Sequence, residues 1–373
     1  MSKIKIVNTL YYDWWKNIDK IILLLIFTLV LLGAFFSFVS TSLIASTKLG
    51  TNSYYFFLRH LVFISLGIVL IITFSLLKEK HLYKMSLILF IIFLISLFCV
   101  PFFGEEIKGS RRWLDISFLP RFQPIELMKP FLIVVLSLII SSEKYSNNYF
   151  KFFLSFLVVF PIITLLVMQP DIGQTVLISL VWLSLIFVSG INLYFFNLFI
   201  FILLSSLTFL IIFVPKFIYI KNRLISFIDL SSKGNYQAEK ASEAIINGGF
   251  FGKGIGEGTL NVRVPEAHTD YVISVISEEF GIIFILLIML IFLTLTFKIF
   301  KKISKEKKNS QKLVLIGSTL IILLQVFVHI GVNIRLLPTT GMTLPFLSYG
   351  GSSILSTSIF SGIILNFTRR KLY

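Results

Sequence analysis

Charge is what this sequence has least of. Charged residues fill 14% of its 373 positions, against roughly a quarter in soluble domains, so most of the chain cannot face water. A soluble globular fold is excluded. The single cysteine, Cys99, lies inside an apolar run, so no intrachain disulfide can form and cysteine usage says nothing of the redox compartment. The four histidines, His60, His81, His268 and His329, are scattered without metal-ligand spacing. No Walker motif, no Ser-His-Asp order and no internal repeat is present. No small-residue cleavage site follows the first apolar run, 21–39, which is too long for a signal h-region and reads as a retained first span.

What the chain has is apolar length. It is 56% hydrophobic, with a mean hydropathy of +0.92, and a helix needs about 20 mostly apolar residues to cross the hydrocarbon core. Ten segments qualify: about 18–40, 55–77, 82–103, 122–142, 150–168, 172–190, 192–214, 271–297, 312–336 and 342–366. Gln169-Pro170-Asp171 and Gly190-Ile191-Asn192 divide neighbours that would otherwise form single overlong helices. The expected fold is an all-α polytopic bundle of about ten transmembrane helices, with a long outer loop (about 215–270) between the seventh and eighth.

The net charge of +16 would suggest nucleic acid on a soluble domain, but here the basic residues cluster between apolar runs and nucleic acid is excluded as a partner. Lys3, Lys5, Lys16 and Lys20, then Lys78, Lys80 and Lys84, then Lys144 and Lys151 fall on one side. So do the seven lysines of 298–312 and the closing Arg369-Arg370-Lys371. The positive-inside rule makes that side cytoplasmic and leaves both termini there. One loop goes against the rule, with Lys108, Arg111, Arg112 and Arg121 outside. It reads either as an anion-binding feature or as loop charges balanced by Glu105, Glu106 and Asp115.

The candidate chemistry gathers on the outer side. Glu266-Ala267-His268-Thr269-Asp270 stands where the long loop re-enters the bilayer, and Asp270 reads as a helix N-cap, as a base, or as both. Glu278 and Glu279 follow inside the span. They read as functional carboxylates or as a buried ion pair with Arg335 or Lys129. Glu126 and Lys129 stand at i and i+3 and can pair with each other. Gln169 and Asp171 flank a polar kink. Ser348-Tyr349-Gly350-Gly351-Ser352-Ser353 suits close helix packing better than a lipid face. Gln237–Asn247 reads as a short helix stopped by Gly248-Gly249. Gly252, Gly254, Gly256 and Gly258 give a weak phosphate-cradle signal.

Five segments together resemble the SEDS family (the FtsW/RodA/SpoVE group) over nearly the whole chain. They are Gly109-Ser110-Arg111-Arg112-Trp113-Leu114-Asp115, Gln123-Pro124-x-Glu126-x-x-Lys129, Gln169-Pro170-Asp171-Ile172-Gly173, Pro265-Glu266-Ala267-His268-Thr269-Asp270 and Ser348-Tyr349-Gly350-Gly351-Ser352. Leu337 to Phe346, with its Gly-x-Thr-Leu-Pro pattern, together with Gly254–Thr259 and Glu278–Gly281, is similar to the division-specific branch, as in alphaproteobacteria. Two features depart: Ile125 stands where the family usually has serine, and 113–123 is lengthened.

The resemblance implies a single SEDS-type transmembrane domain over 1–373 in a bacterial inner membrane, at the division septum. The implied activity is polymerisation of lipid II, the undecaprenyl-diphosphate-linked disaccharide pentapeptide, by an inverting glycosyltransferase. Asp270 is the implied general base, so activity should fall as it protonates. Glu266, His268 and Thr269 would position it or the acceptor. Arg111, Arg112 and Lys129 are the cations expected at the diphosphate, with Trp113, Gln123, Glu126, Gln169, Asp171, Arg335, Ser348, Gly350, Gly351 and Ser352 as further substrate-binding candidates. No cofactor is certain; a divalent cation, Mg or Mn, is a candidate. The implied partners are a class B penicillin-binding transpeptidase, divisome regulatory proteins and membrane lipid. The competing readings are a lipid II transporter, a side-wall polymerase and a non-enzymatic division scaffold.

Overall fold

A computed structural model describes residues 12–41, 54–107, 110–116, 119–228, 236–260 and 263–370. Lys108 and Gly109, expected in the outer basic loop and its motif, lie outside the described residues. All ten apolar segments contain helices: α1 Lys20–Phe36, α2 Tyr55–Leu76, α3 Glu79–Phe103, α4 Pro124–Ile140, α5 Asn148–Met168, α6 Ile172–Val188, α7 Leu193–Phe213, then, beyond the outer loop, two helices in the eighth segment, α12 Asn309–Asn333 and α13 Gly351–Thr368. Local signals start several of them. Asp19 accepts from the amides of Ile21 and Ile22 at the head of α1, Asn147 caps α5, and Pro124 opens α4, where a missing N–H costs nothing.

Seven helices among the described residues are long and apolar enough to cross a membrane. The three that fall short are α4, α6 and α13, and two of them, α4 and α13, are packed inside. Nearly every residue of α4 and α13 is buried, whereas α7 buries none. A helix surrounded by other helices needs no uniformly apolar surface, which is why Glu126, Lys129 and the serines of α13 can sit there. Phe131, Ile133, Leu185, Leu315 and Phe360 belong to the shared apolar core.

The outer loop carries two helices, α8 Ile218–Ile228 and α9 Tyr236–Gly248. The expected short helix is therefore present, and it stops at Gly249 with φ 59°. The eighth segment, expected as one helix over 271–297, is two: α10 Val272–Phe280 and α11 Ile282–Ile303. Gly281, at φ 83°, makes the break, because the outer loop docks its backbone there. Lys253 N donates to Glu278 O at 2.9 Å, Gly254 N to Glu279 O at 3.1 Å, and Ile282 N to Gly249 O at 3.0 Å. A Cβ on Gly281 would collide with Phe250 O, and one on Gly252 with Glu279 O. Gly252 and Gly254 thus serve backbone packing, and their N–H groups are spent on Gly248 O and Glu279 O; they are not a phosphate cradle.

Two further boundaries move. The last helix begins at Gly351, not near 342, because Pro345, a left-handed Phe346 (φ 67°) and Gly350 keep 342–350 non-helical. Arg335 lies past the end of α12, at φ 59°. The lengthened 113–123 stretch resolves into a feature the all-helical expectation did not contain. It is a three-stranded antiparallel sheet in the order β1 Glu105–Ile107, β2 Ser110–Ile116, β3 Leu119–Phe122. Both described chain ends meet at one end of the bundle, where Arg370 N donates to Asn17 O at 2.8 Å. Lys302 meets Asp19 at 2.7 Å and Lys308 meets Glu79 at 2.8 Å at that same end.

Candidate functional site

The expected residues form two clusters at the opposite end, separated by the segment that links α12 to α13. The first surrounds Asp270. Glu266, in the left-handed region at φ 52°, turns the chain so that its carbonyl accepts from the amides of Thr269 and Asp270, both at 3.1 Å. The Thr269 hydroxyl approaches Glu266 Oε2 at 3.4 Å. Asn333, buried at the end of α12, donates through Nδ2 to Asp270 O at 3.1 Å and to His329 O at 2.8 Å. From the other side, Ser348 Oγ donates to Thr269 O at 2.6 Å, and Tyr349 N donates to His268 O at 2.9 Å. The His268 ring lies 5.4 Å from Phe56 and 5.8 Å from Tyr349.

Asp270 does not cap a helix. The helix after it starts at Val272, and its cap position, Tyr271, makes no side-chain cap bond. The carboxylate instead faces the linking segment, where a Cβ on Gly341 (φ 73°) would sit 3.5 Å from Asp270 Oδ2. Three non-glycine residues in this outer assembly, Glu266, Arg335 and Phe346, are left-handed. Such conformations cost on the order of 1–3 kcal/mol each and collect at functional sites. Burial pushes the Tyr271 phenol up, Asp270 adds to the rise, and Arg223 on α8 opposes it. Arg223 also donates to Thr339 O at 3.3 Å, which brings it to the wall that faces Asp270.

The second cluster is a chain of hydrogen bonds running inward. Arg112 Nη1 lies 3.7 Å from Asp171 Oδ1, and Arg112 Nη2 donates to Pro170 O at 2.5 Å. Gln123 Nε2 donates to Asp171 Oδ2 at 3.1 Å. Gln174, whose amide Asp171 caps at 3.3 Å, donates through Nε2 to Glu126 Oε1 at 2.6 Å. Lys129 completes it, 2.8 Å from the same Glu126 oxygen and with no exposed surface. Burial pushes the Asp171 carboxyl up; Arg112 and the Gln174 amide pull against it without reversing the direction. The expected i,i+3 pair of Glu126 and Lys129 is therefore present, and Lys129 is committed to it. The Gln123 amide donates to Ser352 Oγ at 3.0 Å, which ties this cluster to α13.

Thr340–Met342 separates the clusters. A Cβ on Gly173 would touch Met342 Cε at 3.2 Å, and His329 Nδ1 lies 2.8 Å from Met342 O. The other expected residues have plainer places. Arg111 pairs with Glu106 at 3.6 Å on an exposed surface, and Arg121 meets Glu105 at 2.7 Å; for these two the charge-balance reading holds. Trp113 lies on β2 opposite Glu105. Gln169 Nε2 donates to Leu97 O at 3.3 Å, holding α5 to α3. Gly351 lets the ring of Phe63 approach where a Cβ would need 2.5 Å, and Gly350 faces Thr343. Glu278 Oε1 accepts from Asn247 Nδ2 at 2.8 Å, Thr259 N at 3.0 Å and Leu260 N at 2.8 Å, so it clasps the outer loop.

Sequence reasoning did not find Arg223, Asn333, Gln174 or His329. Arg223, Asn333 and Gln174 reach groups 116, 63 and 48 residues away and His329 one 13 residues away, and only a lone polar residue in an apolar helix could have flagged the last three. Among the described residues no group of three or more His, Cys, Asp or Glu could hold a metal ion.

Residues 19–373 match the family described as "Cell cycle protein" (FTSW_RODA_SPOVE). The chain is 31% identical over 361 residues to a probable peptidoglycan glycosyltransferase FtsW of Caulobacter vibrioides, covering 96% of this chain and 91% of that one. It is 33% identical to the protein of that name in Coxiella burnetii, over 95% of each. A chain from a structure described as "Structural coordination of polymerization and crosslinking by a peptidoglycan synthase complex" superimposes with a TM-score of 0.74 at 25% identity, over 94% of this chain and 97% of that one. The rod shape determining protein RodA of Thermus thermophilus, at 24% identity and a TM-score of 0.68 over 95% and 97%, shares the fold. With seven helices among the described residues long and apolar enough to cross a membrane and a family pattern matched from the head of α1 to the last residue, this multi-pass membrane protein belongs to the FtsW/RodA/SpoVE family.

Proposed function

We propose that the protein is a peptidoglycan glycosyltransferase that polymerises lipid II into glycan strands at the division septum. The observation that carries the reading is the setting of Asp270. Its carbonyl is held by Asn333 on α12 and the two residues before it by the Ser348-Tyr349 turn, and its carboxylate faces the Gly341 wall instead of capping a helix. A carboxylate so held can remain fixed while a substrate hydroxyl comes to it. The names of the relatives supply the substrate class.

In this mechanism Asp270 removes the proton from the 4-hydroxyl of the acceptor GlcNAc. That oxygen bonds to the anomeric carbon of the donor MurNAc as the bond to the diphosphate breaks. The α-linked donor becomes a β-linked product in one inverting displacement, with no need for a second carboxylate nucleophile. A general base of this kind contributes about 10²–10⁴-fold. Glu266 and Thr269 set the turn that presents Asp270, and His268 holds the Tyr349 ring beside it. A divalent cation, Mg or Mn, is the candidate cofactor and would supply charge to the leaving diphosphate. The lysine-rich end, with both described chain ends, faces the cytoplasm of a bacterial inner membrane, and the site opens outward. A class B penicillin-binding transpeptidase and divisome regulators are the proposed partners, and the chain acts as one SEDS-type domain.

The test is lipid II polymerisation by the purified protein with its transpeptidase partner, wild type against Asp270→Asn. Glycan strands from the wild type and none from a folded variant are expected. Equal polymerisation by both would remove Asp270 from the mechanism, and no strands from either would overturn the assignment as a polymerase.

A further inference from the structure

A leaving diphosphate needs positive charge, and the cations that sequence reasoning offered are bound to other groups. Arg111 pairs with Glu106, Arg112 with Asp171 and Pro170 O, and Lys129 is fully buried against Glu126. Among the described residues none of the three makes a side-chain hydrogen bond to the Thr339–Gly341 wall that faces Asp270. Arg59 on α2, Arg263 and Arg335 stand around the outer end, yet among the described residues none makes a side-chain hydrogen bond to that wall. Arg223 does, donating through Nη1 to Thr339 O at 3.3 Å.

Two residues further along that wall, a Cβ on Gly341 would sit 3.5 Å from Asp270 Oδ2, so a guanidinium and a carboxylate lie toward one three-residue strip. Tyr271 lies within the electrostatic reach of both. Between them the Thr340 hydroxyl is buried, and so is the Asn333 Oδ1 beside Asp270; neither has a hydrogen-bond partner among the described residues. Buried polar atoms without partners are uncommon in folded proteins and call for a ligand or water. On the helix that carries Arg223, Ile220 and Ser226 are buried while Arg223 stays exposed, so the guanidinium is open to a ligand that approaches the site from outside. A guanidinium is a planar fork of donors that matches phosphate oxygens and is never deprotonated.

We propose that Arg223 is the cation that receives the diphosphate of the lipid-linked donor, with α8 as the element that carries it over the Asp270 site. The assignment rests on the lipid II reading given above. Arg223 would stabilise the charge that develops as the diphosphate leaves, at a distance along the wall from the proton taken by Asp270.

The experiment measures binding without turnover. Undecaprenyl diphosphate is titrated into the full-length protein in nanodiscs and bound lipid is read by native mass spectrometry. The wild type is compared with Arg223→Ala, Arg223→Lys and Lys221→Ala, the last removing one charge from the same helix. Arg223→Ala should weaken binding about 10- to 100-fold, the loss of one charge-assisted contact. Arg223→Lys should fall between it and the wild type, and Lys221→Ala should stay within about twofold. Equal binding by wild type and Arg223→Ala overturns the assignment and leaves the polymerase reading standing. Equal weakening by Lys221→Ala and Arg223→Ala overturns it in favour of diffuse surface charge. No binding by the wild type overturns both readings.

Discussion

The Glu126–Lys129 pair on α4 can be tested as a piece of scaffold. Lys129 has no exposed surface, Glu126 is 6% exposed, and their charged atoms lie 2.8 Å apart. Breaking a buried pair by removing one partner typically costs about 3–5 kcal/mol, because the other charge is left without compensation. Lys129→Met leaves the carboxylate with only the Gln174 amide, and Glu126→Leu leaves a buried ammonium, so each should cost about that much. Removing both should not cost the sum. The double variant loses the pair at little net cost and strands only Gln174 Nε2, a penalty of about 1–3 kcal/mol. Thermal unfolding in detergent, followed by tryptophan fluorescence, should then place both single variants well below the double. If the double variant melts as low as the two single losses combined predict, the charges are not coupled and the reasoning fails.

Gly281→Ala should prevent the outer loop from docking, because its φ is 83° and a Cβ there would overlap Phe250 O. Faster proteolysis of 249–260 in the folded variant is the expected signature, and wild-type resistance would count against the backbone clasp. At the opposite end, burial alone would raise the Asp19 carboxyl, but Lys302 and the amides of Ile22 and Ile21 together hold it below its usual 3.8. A depressed carboxyl adds stability that is fully present above the unfolded value and is lost as pH falls through the lower folded one. The stability gap between wild type and Asp19→Asn should therefore be constant at neutral pH and close below about pH 4. A gap independent of pH through that window would remove the charge from the interaction.

Membrane residence and the course of the helices are legible without any tertiary contact. Apolar length and lysine sidedness are local or additive properties, and each of the ten segments could be read without reference to any other. The sequence also marked Asp270, Glu266 and the Glu126–Lys129 pair, because an ionisable side chain in an apolar setting is conspicuous whatever surrounds it. Which of these groups meet depends on the closed fold. Lys129 is consumed by Glu126 and Gln174, and Arg112 by Asp171. Arg223 reaches a carbonyl 116 residues along the chain. The break at Gly281 is decided the same way, by a loop some thirty residues earlier whose backbone completes the end of α10. The 105–122 sheet rests on cross-strand pairing that three short, charged segments do not announce singly. Helix propensity and hydropathy are summed along the chain, whereas hydrogen bonds between distant segments depend on the closed fold.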